Sequence, residues 1–131
     1  MSWQVHPKEI KSVLALSGQE RYGYFIKKVA DFEEAWGLQS EDGWVLVGFD
    51  GEGGDAFCIW PHADYARACA IDGWSDCTPE LIPLQELIEE LLPALLRDGM
   101  RIAVFPTPTD QAVVVDPRDL QDHLEHEFEQ S

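Results

Sequence analysis

Lysine and arginine are scarce in this chain. They number 9 against 25 aspartates and glutamates, which gives the 131 residues a formal charge of −16. A surface of that sign repels phosphate, so neither nucleic acid nor an anionic membrane is an expected partner. Cysteine is scarce too. Cys58, Cys69 and Cys77 are odd in number and none stands in a C-x-x-C pair, which argues against a disulfide scaffold of the secreted kind. They are expected reduced, with Cys58 on a strand and Cys69 on a helix, both in the core. No apolar run approaches the length of a membrane span. The residues from Met1 to Lys11 lack the charged-then-apolar layout of a signal peptide. A cytoplasmic location is the expectation that follows.

Recognisable catalytic patterns are missing as well. No serine or cysteine stands in a nucleophile setting such as G-x-S-x-G. The run Asp50-Gly51-Glu52-Gly53-Gly54 has neither the lysine nor the Ser/Thr of a phosphate loop, and it leads into strand-like sequence. It reads as a hairpin turn. His123 and His126 are three apart beside Glu127, whereas helical zinc motifs use a four-residue step and a further ligand elsewhere. They read as solvated surface, and His6 has no visible partner. No metal and no cofactor is expected.

What the chain has is an ordinary core fraction, 45 % hydrophobic residues, in a length suited to one domain over residues 1–131. Its charge is unevenly spread. Lys8, Lys11, Arg21, Lys27 and Lys28 fall in the first 28 positions, opposed there by Glu9 and Glu20 alone. That segment is basic and the remainder is more acidic than the total suggests.

The periodicity predicts a short helix over 8–16 after Pro7, then a capping box of Ser17 with Glu20. Tyr22, Phe25, Ile26, Val29, Phe32 and Trp36 follow at helical spacing, with Gly37 as the natural C-cap. Residues 44–49 and 56–60 are nearly continuous in apolar side chains and read as a hairpin of strands central in a sheet. A helix is expected over about 62–72 after Pro61, and a short extended segment over 80–83. Leu84, Leu87, Ile88, Leu91, Leu92 and Leu95 stripe a clear helix, which Pro93 should bend. A second hairpin joins 100–105 to 112–115. Asp116-Pro117 then reads as the N-cap and first residue of a closing helix with a thin stripe of Leu120, Leu124 and Phe128. The pattern predicts an α+β domain, a mostly antiparallel sheet built from two hairpins and covered by helices.

The segments Gln19-Glu20-Arg21-Tyr22, Phe25 to Asp31 and Trp36-Gly37-Leu38 resemble the opening of a small bacterial family, the domain of unknown function numbered 2750. So do Trp60-Pro61-His62 with Tyr65 and Ala66, Ile82-Pro83-Leu84, and Val104-Phe105-Pro106-Thr107-Pro108. The resemblance covers nearly the whole chain. It implies a bacterial, single-domain protein and carries over no catalytic residue.

Two candidate sites emerge. Trp60-Pro61-His62-Ala63-Asp64-Tyr65 lies where a strand gives way to a helix, and a histidine near an aspartate can do acid-base work. Phe105 and Thr107, in a proline-stiffened loop, join Trp60, His62 and Asp64 as a candidate small-molecule or hydrolytic cleft. The structural alternative is that Trp60 and Tyr65 pack, Pro61 stops the strand, and His62 or a neighbour caps the helix. The second candidate is an interaction surface. Glu86, Glu89 and Glu90 on the Leu84 helix, and Asp122, Glu125 and Glu129 on the closing helix, form acidic faces. Trp74 sits beside Gly73 in a loop, and Trp3, Tyr24 and Trp74 fall outside the obvious stripes. The charge and the missing catalytic set favour a non-enzymatic interaction or regulatory protein that binds a basic protein.

Overall fold

The computed structural model describes residues 4–48, 55–108 and 112–130. Helix α1 (Pro7–Leu14) opens on Pro7, whose missing N–H has no helical use at that position. His6 does have a partner. Its Nδ1 accepts the Lys8 N–H at 3.1 Å and caps the helix. Helix α2 (Gly18–Phe32) starts on the predicted capping box. The Glu20 N–H donates to Ser17 Oγ at 3.2 Å, and the Ser17 N–H donates to Glu20 Oε1 at 3.1 Å.

Helix α2 ends before its apolar stripe does. Glu33 turns left-handed, with φ of 57°, and closes the helix, a place usually given to glycine. The chain continues as β1 (Glu34–Ser40). Two expectations are thereby corrected: Trp36 belongs to a strand, and Gly37 is no C-cap. Gly37 instead provides space, because a Cβ there would lie 2.7 Å from the Trp44 ring. Strand β1 pairs antiparallel with β2 (Gly43–Trp44) and with β5 (Thr78–Pro83), placing Trp36 opposite Leu81. The short extended segment expected near 80–83 is thus part of a full strand.

The second sheet runs β3 (Leu46–Gly48), β4 (Asp55–Ile59), β6 (Arg101–Val104), β7 (Val113–Val115) in spatial order. Both expected hairpins are present as antiparallel pairs, β3 with β4 and β6 with β7. They meet through a parallel pairing of β4 with β6. The connecting run Asp50 to Gly54 and the residues 109–111 lie outside the described residues, as does Trp3. Strand β4 is central and buried from Ala56 to Ile59. Strand β3 is an edge instead, with Leu46 41 % exposed. An antiparallel bridge ties the two sheets. The Trp36 N–H donates to the Trp60 carbonyl at 2.8 Å and the Trp60 N–H donates back at 2.7 Å.

Helix α3 (Ala63–Ala68) is shorter than expected. Cys69 closes it, and a 3₁₀ turn at Asp72–Trp74 follows. The Leu84 stripe forms α4 (Leu84–Glu86), a π-helical stretch at Leu87–Leu91 and α5 (Leu92–Arg97). The Leu92 N–H reaches back five residues to the Leu87 carbonyl. The next residue is Pro93, which has no N–H and would clash with a carbonyl one turn earlier. A wider π turn there fits the proline into the helix. The final helix, α6 (Pro117–Gln130), begins with Asp116 Oδ1 accepting the Arg118 N–H at 2.9 Å. It packs on α2 and α5, and α3 packs on β1 and β5. Phe25, Val29, Leu38, Ile59, Leu87, Ile102 and Leu124 meet in one buried cluster. The fold is α+β. Among the described residues no helix is long and apolar enough to cross a membrane.

Candidate functional site

The strand-to-helix turn after β4 is sealed. Trp60 and Phe105 are 0 % exposed. The Trp60 Nε1–H donates to the Pro106 carbonyl at 2.8 Å, and the Cys69 thiol donates to the same oxygen at 3.2 Å. Phe105 stands at φ of 59°, a costly conformation for a bulky residue. It is held there from both sides. Its N–H donates to Ile59 O at 2.8 Å, and its carbonyl accepts the Arg21 Nε–H at 3.1 Å. Arg21 is itself 0 % exposed and also donates to Leu16 O at 2.6 Å. The Tyr65 ring packs 4.9 Å from Phe105 and the Tyr24 ring 6.2 Å from it.

Tyr24 is therefore no outlying contact residue. Its hydroxyl donates to Glu9 and meets the Tyr65 hydroxyl at 2.9 Å. Burial, and then hydrogen bonds to Glu9 and Tyr65, push the Tyr24 phenol far above its ordinary value. Burial pushes Tyr65 up to about 12, Cys58 up to about 12 and Cys69 up to about 11. These groups are neutral at physiological pH. The two thiols are held protonated and pack in the core.

His62 does the work of a cap. Its Nδ1 accepts the Asp64 N–H at 3.0 Å, and the residue is 7 % exposed. Accepting at Nδ1 leaves the ring proton on Nε2 in the neutral tautomer. The nearest Asp64 oxygen is 3.7 Å away, and Asp64 pairs more closely with Arg67, at 2.6 Å. Trp36 packs beside this ring at 6.5 Å, and its Nε1 is buried with no hydrogen-bond partner among the described residues. Thr107 is 8 % exposed and borders a shallow depression of about 270 Å³ with Cys69, Ile71, Trp74 and Pro108. The residues read from the sequence as a cleft are neighbours, but Trp60 and Phe105 present no surface.

The acidic candidates are arranged differently. Glu89, Glu125 and Glu129 border a groove of about 530 Å³ between the Leu84 helix and α6, joined by Glu33 at its end. Its apolar lining is Leu84, Ile88 and Phe128. Leu120 and Leu124 are 0 % exposed, but Phe128 is 47 % exposed, so the apolar stripe of α6 runs out of the core into this groove. The Glu33 carbonyl accepts the Leu84 N–H at 2.9 Å, which fixes the end of α2 against the start of the groove wall. A glutamine one turn earlier steadies a carboxylate on each wall. Gln85 donates to Glu89 and Gln121 donates to Glu125, each at 3.1 Å. Among the described residues no lysine or arginine ion-pairs with Glu33, Glu89, Glu125 or Glu129.

The other interaction candidates fall elsewhere. Glu86 and Glu90 border a smaller apolar hollow with Trp44, Ile82, Leu91 and Ala94. Asp122 is exposed on α6 and borders none of these hollows. Trp74 is half-buried between the Thr107 depression and a polar one containing Glu41, Asp42 and Asp76. His123 is not merely solvated surface: its Nδ1 lies 2.5 Å from the Tyr22 hydroxyl and links α6 to α2. Among the described residues no cluster of His, Cys, Asp or Glu could hold a metal ion.

Sequence reasoning missed Arg21, Glu33 and the outward turn of Phe128. Arg21 carried a signal, since Arg21, Phe25 and Val29 recur at four-residue steps on one helix face. Glu33 carried none, because nothing in a glutamate announces a left-handed turn.

No curated protein and no solved structure matches the chain. Residues 22–124 match the model of a family described as a protein of unknown function, DUF2750. That match spans all of the core elements from α2 into α6, and the chain belongs to the DUF2750 family.

Proposed function

We propose that this domain is a non-enzymatic interaction module that binds a basic protein through its acidic helices. One observation carries the reading. The groove between the Leu84 helix and α6 combines an apolar lining with carboxylates on both walls, none of which has a cationic partner among the described residues. Like charges this dense disfavour a helix by a few tenths of a kcal/mol per pair. A cationic partner would relieve that repulsion and cover the exposed Phe128. Long-range attraction would also speed its arrival and make the rate sensitive to salt.

The sealed turn supports the non-enzymatic side of the reading. Its histidine is occupied as a cap, its thiols are neutral, and its tryptophan and phenylalanine do not reach solvent. The test is a charge reversal, Glu89→Lys with Glu125→Lys and Glu129→Lys, assayed against the protein that co-purifies with the native chain. The association rate should fall about tenfold or more at low salt, with the fold unchanged. An unchanged rate across a range of salt would remove the acidic helices as the contact surface.

A further inference from the structure

The groove also specifies the shape of what it takes. Resting on the reading above, we infer that its occupant is an amphipathic α-helix of another protein, with an apolar stripe flanked on both sides by lysine or arginine. Both helices bring carboxylates to the groove, Glu89 from one and Glu125 with Glu129 from the other, and both bring apolar side chains, Leu84 with Ile88 and Phe128. The occupant must therefore present apolar side chains centrally and cations along both edges. A helix does this, since residues three and four apart share a face and their neighbours flank it. An extended strand presents one face as a single row of alternate residues, so it offers no central apolar row with cations on both sides of it. Glu125 and Glu129 are one helical turn apart, which matches cations repeating every turn on the occupant. Two helices forming the walls of a groove is a common way of seating a third.

The chain is a poor source of that helix. Its weakly basic amphipathic helices among the described residues, α1 and α2, already bury Val13, and Phe25 with Val29, in the core. A second copy would bring another charge of −16 to an acidic face. The occupant is therefore a separate, basic polypeptide.

A designed peptide tests this without knowledge of the natural partner. One short peptide of leucine and lysine places leucine at helical spacing, and a second scrambles the same composition. Each is titrated into the full-length chain and followed by fluorescence anisotropy and circular dichroism. The helical peptide should bind about tenfold tighter than the scramble and gain helicity on binding. Phe128→Ser should reduce its affinity to that of the scramble and leave the scramble unaffected. Glu125→Gln with Glu89→Gln should weaken both peptides. Equal binding of the two peptides, indifferent to Phe128→Ser, would overturn the helix inference and leave the basic-partner reading standing. If neither peptide bound, the helix inference would fall, while the reversal experiment on the natural partner would still decide the wider reading.

Discussion

The sealed turn at Trp60 and Phe105 and the open groove at Phe128 both combine charged and apolar side chains, yet they are opposites. In the first, the polar groups of Arg21, Trp60, Cys69 and His62 have inward partners, while the neighbouring Trp36 Nε1 has none among the described residues. Arg21 donates to two backbone carbonyls, Trp60 and Cys69 share a third, and His62 takes a backbone N–H. In the second, the charged groups meet glutamines and solvent. A buried polar network fixes a structure because each member is expensive to leave unsatisfied. Exposed carboxylates beside an apolar lining fix nothing inside the chain. The chemistry-like stretch Trp60-Pro61-His62 is packed into the fold, and the less distinctive acidic helices border an open groove.

The largest expected effect lies in the sealed region. Arg21→Leu would leave the Leu16 and Phe105 carbonyls without their donor and remove the support under a left-handed phenylalanine. Stability should fall by about 3 kcal/mol or more, measured by urea unfolding. A loss under ~1 kcal/mol would mean the turn does not depend on this guanidinium.

Gly37→Ala should come next. Its Cβ would fall 2.7 and 2.9 Å from two Trp44 ring carbons, and it is boxed by Phe57 at 3.5 Å. Overpacking of this kind costs about 1–3 kcal/mol, and the Trp44 fluorescence should shift as the ring moves. An alanine accepted without cost would contradict the seating of Trp44 on β1.

A pH titration sharpens the contrast further. The phenol of Tyr65 and the thiol of Cys69 titrate at ordinary values of 10.0 and 9.0 when unfolded, and at about 12 and about 11 when folded. The folded state therefore holds protons that the unfolded chain has released. This stability is fully present below about pH 9, is lost progressively as pH rises through 11 and 12, and then levels off. Tyr65→Phe should flatten the alkaline part of that curve. The same slope in the variant and the parent would show that Tyr65 does not contribute.

The smallest stability effects belong to the open region. Glu33→Gly should stabilise by roughly 0.5–1 kcal/mol, since glycine tolerates the φ of 57° that glutamate holds at some cost. It should at the same time weaken binding of a cationic peptide. A destabilised glycine variant would mean that the Glu33 side chain supports the fold rather than the groove.

The contrast between the regions also explains what was legible beforehand. Local signals read correctly: the Ser17–Glu20 box, the Asp116-Pro117 start, both hairpins and the Leu84 stripe depend on residues close in sequence. Strand β1 did not, because Trp36 continues the spacing of α2 and Gly37 imitates a helix stop. What ended the helix was Glu33, and what made Gly37 necessary was Trp44, across the strand pair. The acidity of the two helices was plain, but their alignment was not. Glu89 and Glu125 are brought to one groove by the packing of α5 on α6, which no local pattern encodes.

The most direct test of the central claim is to map the contact surface on the isotope-labelled protein by NMR while the co-purified partner is titrated in. The account predicts that the backbone amides of Leu84, Ile88, Glu89, Glu125 and Phe128 shift first and furthest, and that those of Trp60, His62 and Phe105 stay in place. Shifts centred on Gly73, Trp74 and Asp76, with the groove unperturbed, would contradict it.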